Sequence, residues 1–252
     1  MKISIITVTL NSEKTIEKCI RSVKDQSYNN IEHIFVDGGS TDSTKEIIKK
    51  FSNKTYKLYD QKSQGIYGAI NEGLSYATGD YLGLLHSDDV FYDDETIENV
   101  TSHIKLKKCE AVYGNLCFVS KNNHQKITRY WRPGLISNTK IKFGWMFPHP
   151  TLFIARSLFL KLEGYSEKYK ISGDYDFILR MIKLNHINIS FLDRGLVKMF
   201  PGGASNGNVK KFIIKLFEDI QIMRNSNIPL IRGILGKKIL KINQLKYWGI
   251  KG

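Results

Sequence analysis

The chain has 252 residues, of which 42% are hydrophobic and 12% aromatic, enough for one large ordered domain or one domain with an appendage. It contains no run of about 18 apolar residues, so we expect no membrane-spanning helix. The formal net charge is +14, which suits nucleic acid, anionic lipid or a phosphorylated ligand, and composition alone does not choose among them.

The three cysteines and the N-terminus both indicate a cytoplasmic protein. Cys19, Cys109 and Cys117 lack the spacing of a metal site, and an odd number argues against a disulfide framework. The apolar stretch 1–10 is short and is soon followed by charged residues, so we interpret it as a buried strand rather than a signal peptide.

The first half of the chain alternates predicted strands and helices. β-Branched and apolar runs predict strands at 3–10, 31–36 and 81–85. Helical spacing predicts one helix with Ile16, Cys19, Ile20 and Val23 on one face after a cap at Asn11 or Ser12, a second with Ile47, Ile48 and Phe51 after a cap at Thr41 or Asp42, and a third at 66–77. Repeated βα units imply a mainly parallel, Rossmann-like sheet flanked by helices.

The second half is less regular. Residues 111–155 resemble mixed strands and loops. A helix is predicted at 174–184, followed by strands at 187–192 and 196–200.

The tail, residues 207–252, is basic and predicted to be helical. It holds ten Lys or Arg and two acids, so it contributes +8 of the +14. Apolar residues from Val209 to Met223 form a stripe at helical spacing. Two interpretations stay open: the tail holds the protein against the inner face of the membrane, or it packs on the catalytic domain or on a second subunit of a homodimer.

Polar clusters follow the predicted strands where each strand ends. They comprise Thr9 to Asn11, Asp37 to Asp42 and His86 to Asp89, and ligands of open α/β sheets bind at the carboxyl ends of strands. Adjacent carboxylates at Asp88 and Asp89 repel each other after a buried strand, and a divalent cation would relieve this repulsion. The alternative is a solvated turn that caps a helix starting near Asp94.

Three further features are candidates for chemistry. Gly38 and Gly39 let the backbone approach a ligand closely, although dinucleotide and phosphate-loop glycine motifs are absent. In Asp174-Tyr175-Asp176, one acid can act as a general base at a helix start or simply cap the helix. His149 is fixed between two prolines, where a structural role is the alternative to a functional one.

Taken in order, these segments resemble glycosyltransferase family 2, the inverting transferases with the GT-A fold. The resemblance covers residues 1–200 and is nearest to the branch that builds bacterial surface polysaccharides. It is carried by residues 5–11, 36–44, 65–81, 86–90, 149–153 and 173–176. It implies a catalytic domain at 1–206, with a nucleotide-binding half at 1–110 and an acceptor-binding half at 111–206, followed by the helical appendage at 207–252.

The resemblance also implies roles for the donor-binding residues. Asp37 would hydrogen-bond the base of the donor, most often uracil, in a nucleotide pocket shared with Thr9, Gly39 and Ser40. Asp88 would contact the nucleotide as well.

The metal and catalytic positions follow from the same resemblance. Asp88 and Asp89 would hold Mn²⁺ or Mg²⁺, with His86 a further candidate ligand. Asp174 would be the catalytic base, and His149 and Asp176 would belong to the diphosphate or acceptor region. This sequence departs from the family pattern twice: the family often has Asp where His86 stands and Glu where Gly173 stands.

The expected function is therefore inverting transfer of a sugar from a nucleotide-diphosphate sugar, with UDP the expected nucleotide. The expected acceptor is a hydroxyl of a lipid-linked or growing surface glycan, and no nucleic-acid partner is expected. One alternative is a non-catalytic nucleotide-sugar binder, which His86 and Gly173 motivate. Others are a nucleotidyltransferase and a basic nucleic-acid-binding module in which Tyr130-Trp131-Arg132 would stack on bases.

Overall fold

The computed structural model describes residues 1–120, 126–184, 186–200 and 209–245. The strands within them are β1 Ile3–Thr9, β2 Ile31–Asp37, β3 Tyr56–Asp60, β4 Tyr81–Leu84, β5 Val90–Phe91, β6 Ala111–Val119, β7 Ile127–Trp131, β8 Phe153–Ala155 and β9 Ile189–Met199. The α-helices are α1 Ile16–Lys24, α2 Thr44–Phe51, α3 Gly65–Ser75, α4 Thr96–Lys107, α5 Asn138–Lys142, α6 Arg156–Lys161, α7 Gly173–Lys183, α8 Val209–Asn225 and α9 Leu230–Leu245.

All of these strands join one sheet in the order β3-β2-β1-β4-β8-β6-β9-β5, and β7 pairs with β6 outside this path. The four strands from β3 to β4 are parallel, as the repeated βα units predict. Beyond β4 the sheet is mixed, because β8 runs antiparallel to both β4 and β6, whereas β6 and β9 are parallel. The α/β fold class is confirmed, and the four consecutive parallel strands all belong to the first half of the chain.

β1 lies between β2 and β4 and is buried on both faces, which explains its β-branched composition. Ile6 packs on one side of the sheet with residues of α3, and Ile5 packs on the other side with the predicted apolar face of α1. Burying both faces of this strand removes a large apolar area from water and stabilises the centre of the sheet.

The loop after β1 differs from the prediction. α1 begins at Ile16, and neither Asn11 nor Ser12 caps it through a side chain. Asn11 instead has a left-handed backbone, with φ of 50°, and its Oδ1 accepts the N–H of Thr41 at 2.9 Å. The Ser40 hydroxyl accepts the N–H of Asn11 at 2.9 Å. The predicted cap residue therefore ties the loops after β1 and β2 to each other.

At the start of α2, the side chain of Asp42 rather than that of Thr41 accepts the N–H of Thr44, at 3.0 Å.

The two strands predicted at 187–192 and 196–200 are a single strand, β9. Its parallel pairing with β6 passes through two register irregularities, so residues 193–195 stay within the strand.

β3 is a half-buried edge strand without a strong apolar pattern, and the sequence did not predict it.

The C-terminal helices, α8 and α9, pack on the preceding part of the chain. The Glu218 carboxylate of α8 accepts the backbone N–H groups of Lys170, Ile171 and Ser172, at 2.7 to 3.0 Å. In α9, Gly233 lies against Met223, which is buried. Among the helices in the described residues, none combines the length and apolar character needed to cross a bilayer.

Glu32 generates a prediction about stability. This buried carboxylate of β2 accepts hydrogen bonds from Lys2 Nζ, Ser4 Oγ and the Thr78 N–H, at 2.6 to 2.8 Å. Burial alone would raise its pKa, but these hydrogen bonds outweigh burial and lower the pKa from 4.5 to about 2. We expect Glu32→Gln to lower the free energy of unfolding by about 2 kcal/mol at pH 7, because charge-assisted bonds are lost.

The pH dependence checks the cause. Since the folded-state pKa is depressed, the stabilisation is fully present above pH 4.5 and is lost as the pH falls towards 2. Urea unfolding should therefore show a gap between wild type and Glu32→Gln that closes over this range. Glu46→Gln, on the exposed side of α2, is the control and should leave stability unchanged. A gap that persists at pH 2 would contradict the explanation.

Candidate active site

The carboxyl ends of the parallel strands open into a cleft of about 1310 Å³. The first half contributes the loop after β1, Gly38, the segment 86–89 and the start of α3. The second half closes the other side with His149, Phe118, Arg129, Met199 and Phe200. Thr9 and the 86–89 segment thus meet in one cleft, as the position of their strands predicts.

Asp37 organises the loop that follows β2. Its buried carboxylate accepts hydrogen bonds from the hydroxyls of Thr9 and Ser40 through Oδ1, at 2.9 and 2.5 Å. Oδ2 accepts the backbone N–H groups of Gly39 and Ser40, at 3.0 and 2.8 Å. Gly39 has a φ of 90°, a conformation that side-chain-bearing residues rarely adopt. Four of the predicted nucleotide-binding residues, Thr9, Asp37, Gly39 and Ser40, therefore form one hydrogen-bonded unit beside the cleft.

Asp88 and Asp89 lie side by side at the cleft, directly after the buried end of β4. Asp88 is half-buried and Asp89 fully buried. Burial raises the pKa of both carboxyls, and the charge of Asp88 adds to the shift at Asp89, which the Phe200 N–H opposes. Two desolvated neighbouring carboxylates have the chemistry of a site for a hard cation.

This pair fits a divalent cation that shares its shell with a ligand. Among the described residues, no group of three or more His, Cys, Asp or Glu side chains could hold a metal ion by itself. Mg²⁺ is commonly held by one or two carboxylates together with substrate phosphates, so Asp88 and Asp89 are sufficient for that arrangement. His86 hydrogen-bonds His149 instead.

His86 and His149 line the cleft, and together with Asp174 they form a hydrogen-bonded chain. The Nε2 atoms of His86 and His149 lie 3.1 Å apart, and His149 Nδ1 lies 3.1 Å from Asp174 Oδ2. Burial, and then the charge of His149, lower the pKa of His86 to about 3, so His86 is neutral near pH 7. One of the two rings therefore donates an N–H to the other, and the Nε2 of His86 is turned towards His149.

His149 holds its place through the neighbouring backbone. It begins a short 3₁₀ turn, His149–Thr151, after Pro148. The buried hydroxyl of Thr151 donates to the carbonyl oxygens of Gly114 and Pro148 or accepts the Gly114 N–H, at 2.8 to 3.2 Å. This anchor orients the imidazole towards α7.

Asp174 lies in the first turn of α7, as predicted, and is kept ionised. Burial acts to raise its pKa, but the hydrogen bond to His149, the charge of His149 and the charge of Lys215 lower it below the ordinary value. Oδ2 faces His149, whereas Oδ1 is buried and has no hydrogen-bond partner among the described residues. Asp174 thus offers one carboxylate oxygen that is not already engaged.

The glycine that precedes Asp174 has a packing reason. A side chain at Gly173 would collide with the Tyr67 ring, because a Cβ there would come within 2.7 to 2.9 Å of ring atoms. The Tyr67 hydroxyl donates to the carbonyl of Ile171 at 2.7 Å and accepts the N–H of Asp174 at 3.3 Å. Tyr67 therefore occupies the space that a side chain at position 173 would need, and it supports the start of α7.

Asp176 does not join the cleft. It is buried, and its Oδ2 accepts from Arg180 Nε at 2.8 Å. The Arg180 guanidinium also donates to the carbonyls of Leu162 and Gly164. Because Asp176 is two residues beyond Asp174 on a helix, it points to another side of α7. Through Arg180 it connects α7 to the segment 162–164.

Arg129 is a cleft residue that the sequence analysis missed. It lies in β7, its guanidinium stacks on the Phe118 ring at 3.7 Å, and its Nε is buried without a hydrogen-bond partner among the described residues. It brings a positive charge to a cleft whose lining includes Asp88 and Asp89. No sequence signal marked it, since a single Arg in a mixed strand is common.

The segment proposed to stack on nucleic-acid bases has internal partners. The Tyr130 hydroxyl accepts from Asn115 Nδ2 at 2.8 Å, and Arg132 forms an ion pair with Asp193. Trp131 packs against one of the two hydrophobic cores. These side chains join β6, β7 and β9, so their types are explained by sheet packing.

The family model described as Glycosyl transferase family 2 matches residues 4–167. A PGL/p-HBAD biosynthesis glycosyltransferase of Mycobacterium bovis is 31% identical over 218 residues, which cover 84% of this chain and 82% of that protein. The UDP-Glc:alpha-D-GlcNAc-diphosphoundecaprenol beta-1,3-glucosyltransferase WfgD of Escherichia coli is 29% identical over 196 residues, which cover 77% of this chain and 74% of WfgD.

Solved structures share the fold. Residues 1–349 of TarS from S. aureus, in complex with UDP-GlcNAc, superpose with a TM-score of 0.71 at 21% identity, covering 98% of this chain and 73% of that one. The mannosyltransferase PcManGT from Pyrobaculum calidifontis, in complex with GDP-Man and Mn²⁺, gives a TM-score of 0.66 at 16% identity, covering 96% and 70%. The GT-A-type architecture is thereby confirmed.

Two substitutions at Asp37 separate its structural role from its charge. In Asp37→Asn, the amide oxygen can still accept the two backbone N–H groups, and the hydroxyls of Thr9 and Ser40 can turn to accept from the amide nitrogen. We therefore expect less than about 1 kcal/mol of lost stability for Asn, and about 2–3 kcal/mol for Asp37→Ala, which leaves the donors without partners. Chemical denaturation measures both, and equal losses would contradict this account of the loop.

Proposed function

Because the chain belongs to glycosyltransferase family 2, we propose that it transfers a sugar from a UDP-sugar to an acceptor hydroxyl with inversion at the anomeric carbon. The observation that carries the proposal is the cleft itself. It joins a loop ordered by Asp37, the carboxylate pair at 88–89 and the Asp174–His149 pair. The first two would serve the donor and the third the acceptor.

Donor binding draws on the first half of the chain. The loop tied together by Asp37, Thr9 and Ser40 offers a rigid edge for the nucleotide base and ribose. Asp88 and Asp89 would hold Mn²⁺ or Mg²⁺, which would supply charge neutralisation for the diphosphate of the departing UDP. Arg129 adds a guanidinium that can contact phosphate oxygens from the opposite wall.

Asp174 acts as the general base in this proposal. Its carboxylate is ionised at neutral pH, and Oδ1 is the oxygen left to accept the proton of the acceptor hydroxyl. His149 donates Nδ1–H to Oδ2 and thereby fixes the orientation of the carboxylate. Removal of that proton lets the acceptor oxygen attack the anomeric carbon from the face opposite to UDP, so one step inverts the configuration.

One observation favours a second assignment of the base within the same function. His149 lines the cleft, whereas Asp174 lies behind it. In this version His149 takes the proton, and Asp174 orients the ring and stabilises the imidazolium, as carboxylates do in other Asp–His pairs.

The acceptor is proposed as a hydroxyl of a lipid-linked or growing surface glycan. WfgD, whose name specifies a diphosphoundecaprenol-linked acceptor, and the mycobacterial glycosyltransferase support this class. A donor screen that reads out nucleotide release, followed by transfer to polyprenyl-diphosphate sugars, tests the substrate assignment. Release of UDP from no UDP-sugar would contradict it.

Substitution of the Asp–His pair tests the chemistry. Asp174→Asn should lower kcat by about 10²-fold or more while UDP affinity stays within a few fold, because a base acts on the chemical step. His149→Gln distinguishes the two versions: with Asp174 as the base, transfer persists at a reduced rate, whereas with His149 as the base it falls as far as in Asp174→Asn. If Asp174→Asn keeps more than about a tenth of the wild-type kcat, both versions fail.

Metal removal tests the carboxylate pair. After rigorous chelation, UDP affinity measured by calorimetry should fall about tenfold or more, and Mn²⁺ or Mg²⁺ should restore it, because the diphosphate then meets Asp88 and Asp89 without compensation. Asp88→Asn should respond less to added metal. Asp94→Asn, at an exposed position just beyond β5, should behave as wild type. Unchanged UDP affinity in the chelated wild type would contradict the metal site.

A further inference from the structure

Helix α8 is amphipathic, and it contacts the protein through its polar side. Glu218 accepts three backbone N–H groups of the segment before α7. Asp219 is buried and pairs with Lys237 at 2.9 Å and with Lys215 at 3.7 Å. Of its apolar residues, Ile222 and Met223, near the C-terminal end, are buried against the core.

The apolar stripe of α8 consequently faces solvent. Five residues at i, i+3, i+4, i+7 and i+8 are between 37% and 73% exposed: Val209, Phe212, Ile213, Leu216 and Phe217. These five side chains are not buried by the rest of the described chain, whereas Met223, at the end of the same stripe, is buried against the core. α9 adds exposed apolar residues at Ile231, Leu235 and Ile239. A soluble surface rarely keeps so many large apolar side chains together without a partner.

The charge around the stripe is positive. The two acids of residues 207–252, Glu218 and Asp219, are both turned inward to the contacts just described. Lys210, Arg224 and Arg232 are exposed. The outward side of α8 and α9 therefore combines apolar and basic side chains, and no acid of the tail offsets their charge.

We propose that this surface, formed by the exposed residues of α8 and α9, binds an anionic lipid bilayer, with α8 lying in the plane of the interface. Helices bound in this way bury an apolar face at the level of the headgroups and place basic side chains against anionic lipids. A second copy of the chain fits less well, because a symmetric contact would bring the same basic residues of two copies together.

The proposal links the lipid surface to the active site. α8 holds residues 170–172 through Glu218, and α7 with Asp174 begins directly after them. Lys215, in the same helix, contributes to the low pKa of Asp174. The membrane would thus lie next to the acceptor side of the cleft, a consequence that rests on the proposed function and its lipid-linked acceptor.

Co-sedimentation with vesicles tests the surface. At low salt the full chain should bind vesicles of phosphatidylcholine with 30% phosphatidylglycerol, and it should bind pure phosphatidylcholine far more weakly. Phe212→Asp/Phe217→Asp should lower binding to the anionic vesicles about tenfold or more, and Lys210→Glu/Arg224→Glu should lower it as well. Leu106→Asp, an equally drastic change at an exposed apolar residue of α4, is the matched control and should bind as wild type.

Two further measurements keep the outcomes separate. Circular dichroism and thermal unfolding check that each variant is folded, and sedimentation equilibrium reports its oligomeric state. The proposal would be overturned if the wild type does not bind vesicles, or if Phe212→Asp/Phe217→Asp binds them equally well. It would also be overturned if the wild type is a dimer that does not bind vesicles and the variant is a monomer. Because vesicle binding needs no donor or acceptor, its failure is distinct from failure of the proposed transfer, which a soluble acceptor analogue measures.

Discussion

The parallel pairing of β1 with both of its neighbours is the constraint on which the site depends. Since β2 and β4 run in the same direction as β1, the residues that follow all three strands arrive at one edge of the sheet. Thr9 and Asp37 are paired in register there, and their side chains hydrogen-bond. The segment at 86–89 arrives from the other side of β1. Polar residues that are distant in sequence thereby become neighbours through the pairing of the strands alone.

The second half of the molecule acts on that edge through a few side chains. β8 pairs antiparallel with β4, which brings His149, just before it, against His86. The same imidazole contacts Asp174 on α7, so a single residue connects the strand-end cluster to the start of that helix. His86 is a neutral ring that hydrogen-bonds His149, so it adds no charge beside Asp88.

Much of this could be predicted from the sequence, because the signals are local. The β-branched run at β1 predicted a strand buried on both faces, and the spacing of Ile16 to Val23 predicted the buried face of α1. Polar residues at strand ends predicted the edge of the sheet at which the cleft lies, and the order of the segments indicated the family, which the family model confirmed. Asp174 at the start of α7 was also predicted, since an acid in a first helical turn has a local signature.

What only the tertiary structure decided concerns contacts between residues far apart in the chain. Periodicity shows that α8 has an apolar face, but not which face meets the protein, and Glu218 binding to residues 170–172 turned that face outward. Sequence spacing alone likewise did not distinguish Asp174 from Asp176. In the folded chain Asp176 accepts a hydrogen bond from Arg180, whereas Asp174 contacts His149. The physical reason is common to these cases: a side chain's role depends on the partner that folding supplies, and hydrophobic periodicity carries no information about that partner.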